Sequence, residues 1–128
     1  IMDATDSSPL VLIVDDDPDG RNLYSYALQA AGFRVEEAAD GFEAVDKGYK
    51  LKPQVILMDL LMPRLDGWEV VSWLKKNPTT REIPIVAVTG AQEDIQQMAV
   101  AAGCRAVLTK PCPSGRVVDE VRQILAAR

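Results

Sequence analysis

Histidine is missing from this chain. That absence removes Ser-His-Asp and Cys-His nucleophilic catalysis, histidine-ligated metal sites and any phosphohistidine formed on this chain. Cysteine is scarce: Cys104 and Cys112 are the only two. They are too few for a disulfide framework or a cysteine zinc site, and they read as free thiols of a reducing compartment. No apolar run nears the roughly 20 residues of a membrane span; "LVLIV" (10–14) is about the longest. Positive charge is in deficit, 14 basic against 19 acidic residues for a net charge of −5. A basic stripe for nucleic acid or an anionic membrane is therefore not expected. The opening "IMDATDSSP" has neither a basic n-region nor an apolar h-region, so it does not read as a signal peptide. The expectation is a cytoplasmic protein, with 1–8 a flexible lead-in and 9–128 one folded domain.

Apolar runs alternate with helix-period segments along the chain. "LVLIV" (10–14), "PQVILMD" (53–59) and "IPIVAVTG" (83–90) are nearly continuous, as strands covered on both faces should be. "FRVEEA" (33–38) alternates and predicts an edge strand; "RAVLTKP" (105–111) is the last. Asp17-Pro18 signals a helix start, with Leu23, Ala27, Leu28 and Ala31 on its inward stripe and Gly32 at C′. Residues 41–51 predict a helix with Phe42, Ala44, Val45 and Tyr49 inward. Further helices are expected over 67–76, with Val70, Val71 and Leu74 inward, and over about 92–102, closed by Gly103. The last helix is capped by Ser114 and buries Val117, Val118, Val121, Ile124 and Leu125. Five strands alternating with five helices imply a flavodoxin-like, doubly wound (βα)5 α/β fold with strand order 2-1-3-4-5. Ligands of such sheets bind beyond the carboxyl ends of the strands, at the β1/β3 switch point.

The residues just past the apolar strands are chemically coherent. Asp15 and Asp16 follow the first strand, Asp59 ends the third, Thr89 the fourth and Lys110 the fifth. Like charges about 4 Å apart repel by roughly 4 kcal/mol at a near-surface dielectric. A cation offsets this, and Mg²⁺ suits a set of hard carboxylate and carbonyl oxygens. A carboxylate can also attack phosphorus to form an acyl phosphate, with Lys110 supplying positive charge and Thr89 a hydroxyl donor. Asp17 reads as the helix cap rather than a ligand.

The motifs "LIVDDD", "VILMDLLMPRLDG", "VAVTG" and "VLTKP", in this order and spacing, resemble the response-regulator receiver domain of two-component signalling. The resemblance spans residues 9 to 127. It implies that Asp59 accepts the phosphoryl group, that Asp16 binds Mg²⁺ directly and Asp15 through water, and that the Leu61 backbone carbonyl is a further ligand. It assigns Lys110 to the phosphoryl group and Thr89 to reporting its arrival, and implies a cis Lys110-Pro111 peptide. The implied partners are a sensor histidine kinase or histidine phosphotransfer protein, and a downstream protein or fused output domain; turnover catalysis is not expected.

The chain departs from the family where Val107 replaces the usual Tyr or Phe. A valine cannot make the ring rotation that relays phosphorylation, and Gly90 points instead to a backbone shift of the following loop. Leu61 and Ala91 lack polar groups to steer a hydrolytic water, which predicts a long-lived acyl phosphate. Two rivals are a phosphate-independent interaction module on the same fold and an aspartate-nucleophile phosphatase using Asp15. Trp68 and Trp73 lie five residues apart, about 140° around a helix, so one is expected inward and the other draped over the edge.

Overall fold

The computed structural model describes residues 7–62, 66–90 and 92–127. The strands are β1 (Leu10–Val14), β2 (Arg34–Ala38), β3 (Val55–Asp59), β4 (Ile85–Thr89) and β5 (Ala106–Thr109). The helices are α1 (Pro18–Ala30), α2 (Gly41–Leu51), α3 (Gly67–Lys76), α4 (Glu93–Ala102) and α5 (Ser114–Ala126). One parallel sheet runs in the order β2-β1-β3-β4-β5. Its three inner strands are buried along their whole length, while β2 alternates as an edge strand should.

Alternation along the strands divides the core in two. Val11, Ile13, Val55, Leu57, Val86 and Val88 face α1 and α5, where Leu28, Val117 and Val121 meet them. Leu12, Val14, Ile56, Met58, Ile85 and Ala87 face the opposite layer, against Ala44, Val70, Val71 and Leu74. Each such side chain contributes about 1.5–3 kcal/mol when fully buried. Among the described residues, no helix is long and apolar enough to cross a membrane. Both cysteines are buried and unpaired, and burial pushes the Cys104 thiol up to about 11. These are unreactive core thiols.

Three helices start on aspartate caps: Asp17 accepts from the Asp19 amide, Asp40 from Glu43 and Asp66 from Glu69. Gly32, at φ +98°, takes the left-handed C′ position expected of it. Four side-chain placements differ from the sequence expectations. Ser114 does not cap α5; Pro113 is the boundary residue, and its carbonyl accepts from Arg116 and Val117, so Ser114 is already helical. Leu23 is 53% exposed, and its neighbour Tyr24 turns inward to join Leu28 on the α1/α5 face. Phe42 and Tyr49 are also exposed. Helix α2 approaches the sheet through Ala44 and Gly48, where a Cβ would stand 3.2 Å from Leu74 Cδ2. That approach leaves the aromatics on the flanks, lining a groove with Trp73. Trp68 packs on the core while Trp73 lies outside, as the spacing predicted.

Candidate functional site

Strand register assembles the site. In the β1/β3 ladder Val11 to Val14 pair with Val55 to Met58, so one further step brings Asp15 abreast of Asp59. Both then share the parity of Ile13 and Leu57, on the α1/α5 face. In β5, Leu108 belongs to that same face, and Lys110, two residues on, inherits its side. Thr89 pairs with Thr109 across β4/β5, and its carbonyl accepts from the Lys110 amide at 2.7 Å.

The side chains converge accordingly. Lys110 Nζ lies 3.3 Å from Asp59 Oδ2 and 3.8 Å from Asp15 Oδ2. Oxygens of Asp15, Asp16 and Asp59 all lie within 4.8 Å of one another. Asp15 and Asp59 are nearly buried, at 5% and 7% exposure, whereas Asp16 is exposed to solvent. Local bonds fix the first two: the Asp17 amide donates to Asp15 Oδ1 and the Leu61 amide to Asp59 Oδ1. Arg21 clamps the end of β1, donating to the Asp15 carbonyl at 2.7 Å while its Nε pairs with Glu37 at 3.2 Å. Thr89 Oγ1 is buried and, among the described residues, is the polar side-chain atom left without a hydrogen-bond partner. A buried hydroxyl without a partner loses its hydration for nothing in return, so a ligand oxygen would satisfy it. The donor set is all carboxylate, which fits a hard divalent cation such as Mg²⁺.

The side chains of Asp15, Asp16, Asp59 and Lys110 therefore come together here, and Thr89 stands at the same carboxyl edge of the sheet, at the end of β4. Asp17 stays outside the carboxylate cluster and caps α1, as read. The Lys110-Pro111 peptide is cis. Ala91 lies outside the described residues. The sequence reading missed Arg21 and Tyr24, which approach the site from α1; no motif marks them, and only the helix phase identifies their face.

Burial raises the Asp59 carboxyl above the ordinary aspartate value; the Leu61 amide and Lys110 pull it down, and Asp15 adds to the rise. For Lys110, burial works against the charge, but Asp59 and Asp15 outweigh it and hold the ammonium firmly protonated. The raised Asp59 has a consequence for stability. Between its unfolded and folded values the native state binds more protons, so stability falls as pH climbs through that window. In EDTA, the melting temperature of Asp59→Asn is expected to exceed that of the wild type by a margin that widens above about pH 4. The margin levels off once pH passes the folded value; one that shrank with rising pH would contradict the assignment.

Comparison with known proteins agrees with this geometry. A family profile described as "Response regulator receiver domain" matches residues 11–122. The polar-differentiation response regulator DivK of Brucella anthropi is 33% identical over 120 residues, covering 90% of this chain and 94% of DivK. Among solved structures, chemotaxis protein CheY4 of Vibrio cholerae superposes with a TM-score of 0.86 at 32% identity, covering 92% of this chain and 99% of that one. The signal receiver domain of a histidine kinase from Syntrophus aciditrophicus gives 0.86 at 29% identity, covering 94% and 92%. These matches leave no place for the aspartate-nucleophile phosphatase as an alternative family. The chain belongs to the response-regulator receiver family of two-component signalling.

Proposed function

We propose that Asp59 accepts a phosphoryl group, in a magnesium-dependent step, from the phosphohistidine of a sensor kinase or histidine phosphotransfer protein. The chain then alters the surface it offers a downstream protein or fused output domain. The observation that carries this reading is the Lys110 ammonium 3.3 Å from an Asp59 carboxylate clustered with Asp15 and Asp16. With no histidine of its own, the chain depends on a donor elsewhere.

An Asp59 oxygen bonds to phosphorus as the phosphorus–nitrogen bond of the donor breaks, and the departing imidazole keeps the electron pair. Lys110 meets the negative charge on the transferring oxygens, already in place before the reaction begins. Thr89 Oγ1 donates to a phosphoryl oxygen and gains the partner its burial denies it. Asp15, Asp16, Asp59 and the Leu61 carbonyl are the groups that would hold Mg²⁺, which when bound adds positive charge against the phosphoryl oxygens. Val107 is half-buried and packs on the same core cluster as Ile95 and Trp68. Since it has no ring to rotate, the response passes through the backbone that follows Thr89.

Intact-mass analysis after incubation with Mg²⁺ and acetyl phosphate tests the reading. One added phosphoryl group, mapped to the peptide carrying Asp59, is expected; an unchanged mass would favour the phosphate-independent module. The Leu61 side chain is exposed and apolar, so it offers no hydrogen bond to an attacking water. The label should persist for minutes or longer at neutral pH in a mass-spectrometric time course, and decay within seconds would contradict this.

A further inference from the structure

The segment that carries Lys110 into α5 is tied to α1, which packs on the same face of the sheet. Tyr24, buried at 7% exposure in α1, donates its hydroxyl to the carbonyl of Cys112 at 3.1 Å. The two residues are 88 positions apart. Cys112 follows Lys110 by two residues, and the flanking Pro111 and Pro113 have no N–H to anchor that stretch. Upstream, the Lys110 amide is bound to the Thr89 carbonyl. The Tyr24 hydroxyl therefore holds the far side of the lysine, so that its backbone is pinned at both ends. Tyr24 also lines one small cavity together with Ile13, Leu57, Asp15 and Asp59.

We infer that Tyr24 is a positioning residue for phosphoryl transfer, acting through Lys110: its bond to the Cys112 carbonyl sets where the ammonium stands over Asp59. This rests on the phosphoryl-acceptor reading above. Removing the hydroxyl leaves a buried carbonyl unpaired. The backbone then shifts to recover a partner and takes Lys110 with it. The Asp15 and Asp59 carboxylates are held by the Asp17 and Leu61 amides, and Arg21 holds the Asp15 backbone carbonyl, so cation binding does not depend on Tyr24.

The test is a double-mutant cycle on labelling by acetyl phosphate, with Mn²⁺ affinity measured in parallel by electron paramagnetic resonance. Tyr24→Phe is expected to slow labelling about fivefold, the equivalent of one hydrogen bond, with Mn²⁺ affinity unchanged within about twofold. In a Lys110→Ala background, followed over longer incubation, the same substitution should cause no further loss. Tyr24→Leu, run alongside as a second removal of the hydroxyl, should behave alike. Wild-type labelling rates in both variants would overturn the inference. So would the same fivefold loss without Lys110, or a matching loss of Mn²⁺ affinity, since each would mean general loosening. If the wild type itself takes no label, the phosphoryl-acceptor reading fails with it, and that outcome is separately visible.

Discussion

Asp59→Asn is expected to lose acyl-phosphate labelling by at least about a thousandfold, on the scale seen when a covalent nucleophile is removed. A carboxamide is neutral and has no oxygen nucleophile to offer, while its shape and its acceptor for the Leu61 amide are kept. The fold should survive and gain stability in EDTA. Although Asn gives up the 3.3 Å pairing with Lys110, the raised Asp59 value already includes that attraction and still reports a charge disfavoured by burial and by Asp15. Removing the charge is then net favourable. The two readouts together are decisive: a missing label with a raised melting temperature cannot come from unfolding. Label retained in Asp59→Asn and mapped to Asp15 would transfer the nucleophile to the other strand and overturn the assignment. Residual label spread over surface carboxylates would mark non-specific chemistry by acetyl phosphate, and subtracting it leaves the comparison intact.

The strands, their order and the strand-end residues were legible because each rests on a strong local signal. Continuous apolar runs mark strands buried on both faces, and a parallel sheet with right-handed crossovers leaves few orders to choose from. The convergence of Asp15, Asp59 and Lys110 follows from register and parity, which a sequence carries implicitly. Helix phase was harder to read. In α1 the apolar residues Leu23 and Tyr24 are adjacent, and either could head the inward stripe with Leu28. The outcome depends on where the Asp17 cap starts the first turn and on the bond available to a tyrosine hydroxyl at Cys112. In α2 hydrophobicity points to Phe42 and Tyr49, yet close packing against Leu74 selects Gly48 and Ala44. Steric fit between helices is a tertiary property, and no pattern within α2 encodes it. The α5 cap went to Pro113 rather than Ser114 for a similar reason: the carbonyl geometry there, not side-chain propensity, sets the first turn.

Gly67→Ala is expected to be strongly destabilising. A Cβ there would stand 2.4 Å from the Asp59 carbonyl oxygen and 2.5 Å from Leu60 Cα. Both neighbours are backbone atoms at the end of a wholly buried strand, so neither can turn aside as a side-chain tip would. The Gly67 amide meanwhile donates to the Leu60 carbonyl at 3.1 Å, which fixes the start of α3 against the end of β3. Admitting the methyl means separating the two, and the expected loss is about 3 kcal/mol or more, the upper range for overpacking. For a domain of this size that lowers the melting temperature by about 10 °C. Gly115→Ala is the internal comparison. It lies in α5 with no atom within 4 Å of its would-be Cβ, and it should gain about 0.5–1 kcal/mol from reduced backbone entropy. Denaturant midpoints of the two variants should therefore move in opposite directions, and equal, small shifts would mean that α3 does not meet β3 this closely. Because the displaced atoms belong to Asp59 and Leu60, any Gly67→Ala protein that still folds should also label more slowly than the wild type. Loss of stability with an unchanged labelling rate would mean that the α3 junction does not set the phosphoacceptor's position.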